Sequence, residues 1–238
     1  MFTNMARPDS ISLSIDNNTI MEVSDTKFLG VLVDNQLNWN AHIKHITSKI
    51  SKSVAILRIL RDIFPKHILK TLYQTLTYPY FNYCNLVWGT ADDANLLPLI
   101  RMQKKCIRIV NRAGYLDHTD PLFKSSKLLN LEQIHFISCA KFIYNCYKTN
   151  SYPNFSSRLI LNSDVHDYNT QISSNLRTPF ERLDSGKKSF LVKGIKIWNK
   201  LPDYIKSANS IIYFKSKLKK WVFENALVLS TLKVPYSK

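Results

Sequence analysis

From Asn40 to about Thr149 the apolar residues return every three or four positions, and that period limits what the chain can become. Ile43, Ile46, Ile50, Val54 and Leu57 fall on one side of a helix with 3.6 residues per turn. This helix is expected to stop before Pro65, whose fixed φ suits the first turn of the next, Pro65 to about Thr77. Pro79 opens a short aromatic-rich helix ending at Gly89. Asp92, Asp93 or Asn95 can cap the helix after it, Leu96 to Ala113, with Gly114 as its C′ residue. Asp120-Pro121 opens another. Leu131 to Lys148 forms one more, with Phe136, Ala140, Ile143 and Tyr147 on its apolar side.

The beginning of the chain obeys a different period. Ile11, Leu13 and Ile15 alternate with Ser12 and Ser14, as in a half-buried strand. Asp16-Asn17-Asn18 supplies a turn, and Thr19 to Val23 returns as a second strand. Lys27 to Val33 reads as a third, with Gly30 leaving room for another backbone or a ligand. Near Thr149 to Asn154 a Ser/Asn/Pro break marks a boundary. Beyond it, Phe155 to Leu183 is polar and poorly periodic, so loops and short strands are expected there. A last helix, Ile211 to about Leu229, buries Phe214, Leu218, Trp221 and Val222. The predicted fold is mainly α: strands in 1–36, a helical domain over 37–150, and a smaller mixed C-terminal region over 151–238.

Charge narrows the function. Thirty-three Lys and Arg against seventeen Asp and Glu give a formal +16. Self-repulsion of that size is relieved by a polyanion at the surface. No apolar run approaches a membrane span, so nucleic acid is the expected partner rather than a bilayer or a small-molecule substrate. Met1 to Asp9 lacks the apolar core of a secretory signal. Cys84, Cys106, Cys139 and Cys146 lie in apolar contexts with no zinc spacing, which fits reduced thiols in an intracellular protein, nuclear or cytoplasmic.

One helix concentrates the charge. Arg101, Lys104, Lys105, Arg108 and Arg112 fall within an arc of about 100° on a helical wheel. Leu99, Met102, Cys106, Ile109 and Ala113 occupy the opposite side. Lys104–Arg108, Arg101–Lys105 and Arg108–Arg112 are like-charge pairs, each destabilising by roughly 0.2–0.5 kcal/mol. A phosphate backbone alongside would remove that repulsion and release counterions. By contrast, Lys215, Lys217, Lys219 and Lys220 spread around their helix and read as solvated.

Catalytic signals are not found. Thr90-Ala91-Asp92-Asp93 imitates the paired-aspartate box of a nucleotidyl transferase, but it precedes a helix and has no flanking strands. Helix capping is the reading for Asp93. His42 and His45 share a helix without an acidic third ligand, so surface positions are expected for both. There is no Gly-rich phosphate loop, Ser/His/Asp set or Cys/His pair. The chain is expected to carry no catalytic residue, no metal and no cofactor.

An ordered series of short motifs carries a resemblance. Lys27-Phe28-Leu29-Gly30-Val31, Leu37-Asn38-Trp39 and His42-Ile43 come first, then Lys49-Ile50-Ser51-Lys52, Leu72-Tyr73 and Tyr78-Pro79-Tyr80. Tyr83 to Gly89 (YCNLVWG), Gln103-Lys104-Lys105 and Arg108-Ile109 follow. Farther on stand Asp167-Tyr168-Asn169-Thr170, Gly194 to Pro202 (GIKIWNKLP), Ile205-Lys206 and Phe214-Lys215. In this order they resemble the region downstream of the palm in jockey-like non-LTR (LINE-type) retrotransposon reverse transcriptases.

That resemblance implies that 1–36 is a palm remnant in which Phe28, Leu29 and Gly30 form a primer grip. It implies a thumb over the helices that follow, clamping an RNA or DNA template–primer duplex by its backbone. The family's aromatic-Ala-Asp-Asp box lies upstream of the Phe28 strand, and its magnesium would belong with that palm. The expectation is therefore a truncated fragment that binds nucleic acid without sequence preference and does not polymerise. Affinity would fall on the order of 10³-fold between about 50 and 200 mM salt. Trp198 and Leu201 read as core residues, with Pro202 opening a turn or helix. Two other readings stay open: a host-retained helical module that docks a protein, and a fragment that folds poorly for want of its sheet.

Overall fold

The computed structural model describes residues 13–165 and 174–225. Ile11, the Asp167–Thr170 motif and the end of the last expected helix lie outside the described residues. The strands are β1 (Leu13–Ile15), β2 (Asn18–Ile20), β3 (Asp25–Phe28) and β4 (Val31–Asp34). The helices begin with α1 (Asn40–Leu60), α2 (Lys66–Leu76), α3 (Tyr78–Asn82), α4 (Asn85–Trp88), α5 (Asp93–Val110) and α6 (Thr119–Ser126). They continue with α7 (Leu131–Thr149), α8 (Pro153–Ser156), α9 (Asp184–Lys187), α10 (Phe190–Lys200), α11 (Asp203–Lys206) and α12 (Ile211–Glu224). The fold is mainly α with two short antiparallel strand pairs at its start, as the periodicity implies. Packing divides the chain into two units, 1–84 with 91–117, and 85–90 with 118–238.

In the first unit both strand pairs are hairpins. Asp16 and Asn17 have positive φ and turn β1 into β2. The expected single strand from Lys27 to Val33 is instead β3, a two-residue turn and β4. Leu29 at φ 45° and Gly30 at φ 83° make that turn. Two consecutive positive φ values give the twist that a tight hairpin needs. Gly30 is therefore a turn residue, and leucine before it is the unusual choice. Tyr83 secures the turn by donating its hydroxyl to the Leu29 carbonyl.

Asp34 joins this hairpin to α1. Its Oδ1 accepts from the Gln36 and Asn38 amides at 3.1 and 3.0 Å, and its Oδ2 from the Trp39 amide at 2.8 Å. Trp39 occupies the N-cap position in left-handed conformation, so its own side chain provides no cap. The carboxylate takes over that task. His42 supplies a second tie, because its Nδ1 accepts from the Leu32 amide at 3.3 Å. The expected surface position for His42 is thus corrected: the residue is only 2% exposed. Burial, and secondarily His45, hold its pKa below the ordinary value.

Ile43, Ile46, Ile50, Val54 and Leu57 are all buried, as their spacing requires. They meet α5, which runs parallel to α1. Asn95 near one end donates to the Asn38 carbonyl at 3.3 Å, and Arg61 near the other reaches the Ala113 carbonyl at 3.5 Å. α2 closes the unit with Leu69 and Tyr73, neither of them exposed.

The second unit gathers around α7. Asn130 and Gln133 form a reciprocal capping box at its start, with bonds of 2.8 and 3.0 Å. α4, α8, α10 and α12 pack along it. The helix expected from Pro79 to Gly89 is broken at Cys84, φ 49°, into α3 and α4. No helix is expected over α10 from the sequence reading, although Leu191, Val192, Ile195 and Trp198 recur at helical spacing and are all buried. Ser189 caps it, and Gly194 admits it close to α7, since a Cβ there would stand 2.9 Å from Ile143. Trp198 packs within a core of Tyr144 and Phe214, and Leu201 is buried, as expected. Pro202 takes the N-cap position of α11. Asn199 accepts from the Leu176 amide at 2.9 Å and donates to its carbonyl at 2.8 Å. The Ile197–Pro202 motif thus fastens a loop to a helix.

The Asp34 node generates a stability prediction. Asp34→Ala leaves three main-chain donors without their acceptor and should destabilise by about 2 kcal/mol. Urea unfolding followed by circular dichroism measures this, and amide exchange at Asn38 and Trp39 should accelerate.

Candidate nucleic-acid interface

The chemistry of α5 starts from what it must bury. Leu99, Cys106, Ile107 and Val110 have no exposed surface, and Gln103 is buried beside them. Gln103 donates to the Tyr73 hydroxyl at 3.1 Å, which fixes the rotation of the helix against α2. Burial drives the Tyr73 phenol far above its ordinary pKa and the Cys106 thiol up to about 12, so both are neutral. Met102 and Ala113, expected on the core side, are half-buried.

Arg101, Lys104 and Lys105 are exposed on the opposite side. None of the three meets a carboxylate among the described residues. Arg108 is half-buried, and its Nε donates to the Asp117 carbonyl at 2.9 Å. Arg112 departs from the expected stripe. The helix ends at Val110, and Arg112 is the left-handed residue after its C-cap, φ 53°. The Arg112 amide bonds to Ile109 at 3.1 Å and the Ala113 amide to Arg108 at 2.9 Å, the pair of a Schellman motif. Glycine normally fills that C′ position, which is why Gly114 is the residue expected there. Instead the Gly114 amide donates to Asp117 Oδ2 at 2.7 Å. Arg112 extends its Nη2 to the Phe64 carbonyl at 3.1 Å. The charged face therefore consists of Arg101, Lys104 and Lys105, with Arg108 at its edge.

A groove of about 500 Å³ lies beside this face, between the first halves of α1 and α5. Lys44, Thr47, Ser48 and Ser51 line one wall, and Ala94, Asn95 and Pro98 the other. Ammonium, hydroxyl and amide groups are among the kinds of side chain that contact phosphate and sugar in protein–nucleic acid complexes. Sequence reasoning missed this wall, although Lys44, Ser48 and Ser51 recur at helical spacing beside the apolar stripe.

The other candidates lie away from α5 or at its start. Phe28, Leu29 and Gly30 sit at a hairpin tip, with Phe28 66% and Leu29 74% exposed. The tip is tied to Tyr83, and no contact brings it to the α5 face among the hydrogen bonds of the described residues. Asp92 is the N-cap residue of α5 and Asp93 its first residue, where the helix dipole favours negative charge. Among the described residues no cluster of three His, Cys, Asp or Glu is arranged to hold a metal. No helix among them is long and apolar enough to cross a membrane.

A Cys/His pair does exist, one helical turn apart on α7, and corrects the reading that there is none. His135 Nδ1 lies 3.1 Å from both Asn85 oxygens, which assigns it the proton. Nε2 then accepts from the Cys139 thiol at 3.5 Å. Burial, with the Lys193 charge second, presses the His135 pKa down to about 4, while burial raises the Cys139 thiol to about 12. Both are uncharged at neutral pH, so the pair offers no thiolate nucleophile.

Comparison with known proteins shows where part of the sequence recurs. A stretch of 117 residues, 48% of the chain, is 25% identical to a probable RNA-directed DNA polymerase from transposon X-element of Drosophila melanogaster. The match spans 13% of that protein's length. No protein-family model matches the chain, and no solved structure does. About half of this chain is thus similar to part of a retrotransposon polymerase.

The buried histidine gives a pH prediction. A folded-state pKa near 4 for His135 lies below the unfolded value of about 6.5. Its contribution to stability is whole above pH 6.5 and is lost as pH falls towards 4, up to about 3 kcal/mol. Urea midpoints should drop over that window, and His135→Gln should flatten the drop.

Proposed function

We propose that the first unit grips the backbone of a template–primer duplex as the thumb of a jockey-like retrotransposon reverse transcriptase would. The observation that carries this reading is the α5 face, where Arg101, Lys104 and Lys105 stand exposed with no acid partner among the described residues. The adjoining groove, with Lys44 and three hydroxyl side chains, extends the path a strand would follow. Similarity to the X-element polymerase supports the same class. Contacts of this kind neutralise phosphates without reading bases, so binding is indifferent to sequence. Phe28, Leu29 and Gly30 would act as the primer grip, presenting an exposed tip to the strand end. The role of this unit is binding, and no polymerisation step is assigned to its residues.

A second reading rests on α1. Ile56 and Ile59 on α1 and Ile63 in the turn after it are exposed, which favours docking of a protein partner. Under that reading, Ile59→Lys with Ile63→Lys abolishes the chain's interaction and the α5 variants leave it intact.

Duplex titrations at several salt concentrations separate the two. Replacing Arg101, Lys104 and Lys105 with Gln should weaken binding to all sequences alike. It should also make the log affinity against log salt plot shallower by about 2 to 3. Arg112→Gln should leave affinity within about twofold, because that guanidinium serves the Phe64 carbonyl. Unchanged affinity in the triple variant would remove α5 from the account.

A further inference from the structure

The second unit holds another concentration of positive charge, built differently from α5. Five lysines stand between Asp203 and Glu224. The two acids approach Lys206 at 3.4 Å and Lys220 at 4.0 Å. Lys215, Lys217 and Lys219 have no carboxylate partner among the described residues. Lys217 is held in place: its Nζ donates to the Tyr204 carbonyl at 2.8 Å. The same ammonium lies 4.5 Å from the centre of the Tyr213 ring and 5.8 Å from that of Tyr204. One cation thereby stands beside two rings on two helices, α11 and α12.

Those rings are not core. Tyr204 is 53% and Tyr213 57% exposed, whereas Tyr144, Trp198 and Phe214 in the same unit are at most 3% exposed. A clip between helices would need only the lysine–carbonyl bond, and rings turned inward would bury more apolar surface. Two positioned, half-exposed aromatic rings with cations around them meet a different requirement. Each base of an unpaired strand offers a π-face to stack on tyrosine, and each phosphate needs a nearby positive charge. Tyr213, Lys217 and Lys220 follow one another along one side of α12 at helical spacing, so successive nucleotides would find ring and ammonium in turn.

We propose that the Tyr204–Lys217–Tyr213 cluster binds single-stranded nucleic acid by base stacking. This site uses residues separate from the duplex reading of α5, and each stands or falls by itself. Paired bases present their faces to one another, so the cluster should discriminate against duplex.

The test uses the full chain, a fluorescent 20-mer of uridylate and a blunt duplex, read by anisotropy. Tyr204→Ala with Tyr213→Ala should weaken single-strand binding about tenfold or more and leave duplex binding within about twofold. Tyr204→Phe with Tyr213→Phe should bind as the unaltered chain does, since stacking needs the ring and not the hydroxyl. A 20-mer carrying 4-thiouridine, irradiated on the unaltered chain, should crosslink at Tyr204 or Tyr213, which tests the site even if the alanine variant fails to fold. Equal binding by the alanine pair would overturn the proposal. So would equal loss of single-strand and duplex affinity in an alanine variant that keeps the circular dichroism of the unaltered chain, or crosslinks confined to other segments. Loss of duplex binding in the α5 triple variant alone, with single-strand binding kept, would leave the proposal standing and locate the two activities apart.

Discussion

Burial of one side of α5 against α1 and α2 dictates where the charge of this protein goes. Leu99, Cys106, Ile107 and Val110 are fully enclosed, and Gln103 reaches Tyr73 from the same side. Each buried aliphatic side chain contributes about 1.5–3 kcal/mol. The like-charge pairs on the outer face, Arg101–Lys105 and Lys104–Arg108, together oppose the helix by at most about 1 kcal/mol. Packing wins by a wide margin. The cations are consequently held outward side by side, with no carboxylate among the described residues to offset their mutual repulsion. A helix free to rotate would turn all of them away from this side together.

The supports of that arrangement are main-chain bonds made by side chains. Asp34 converts a strand end into a helix start, and His42 ties Leu32 to the same helix. Arg61 and Arg112 fasten the far ends of the unit through the Ala113 and Phe64 carbonyls. Two arginines are thereby committed to architecture, which shows why a count of positive residues overstates a binding face. In the second unit, Lys217 combines both tasks, holding Tyr204 in place while remaining next to two exposed rings.

Much of the helical framework is legible in the sequence because its apolar spacing is unbroken. The stripe from Ile43 to Leu57 and the Leu131 helix lie where the periodicity puts them. Sequence and structure part where backbone geometry outweighs residue preference. Leu29 accepts a left-handed turn position that asparagine usually fills, so a hairpin reads as one strand. Arg112 takes a C′ position usually given to glycine, because its side chain finds a carbonyl to bond. α10 carries the same spacing in Leu191, Ile195 and Trp198, and there Gly194 lowers helix propensity locally but permits close packing on Ile143. His42 and the His135–Cys139 contact depend on neighbours distant in sequence or on helix geometry, which composition does not reveal.

The most direct measurement of the α5 grip is lysine-acylation footprinting of the full chain with and without a template–primer duplex. Lys104 and Lys105 should lose reactivity when duplex is added at low salt and regain it when salt displaces the duplex. Saturated binding with both lysines still fully reactive would contradict the account.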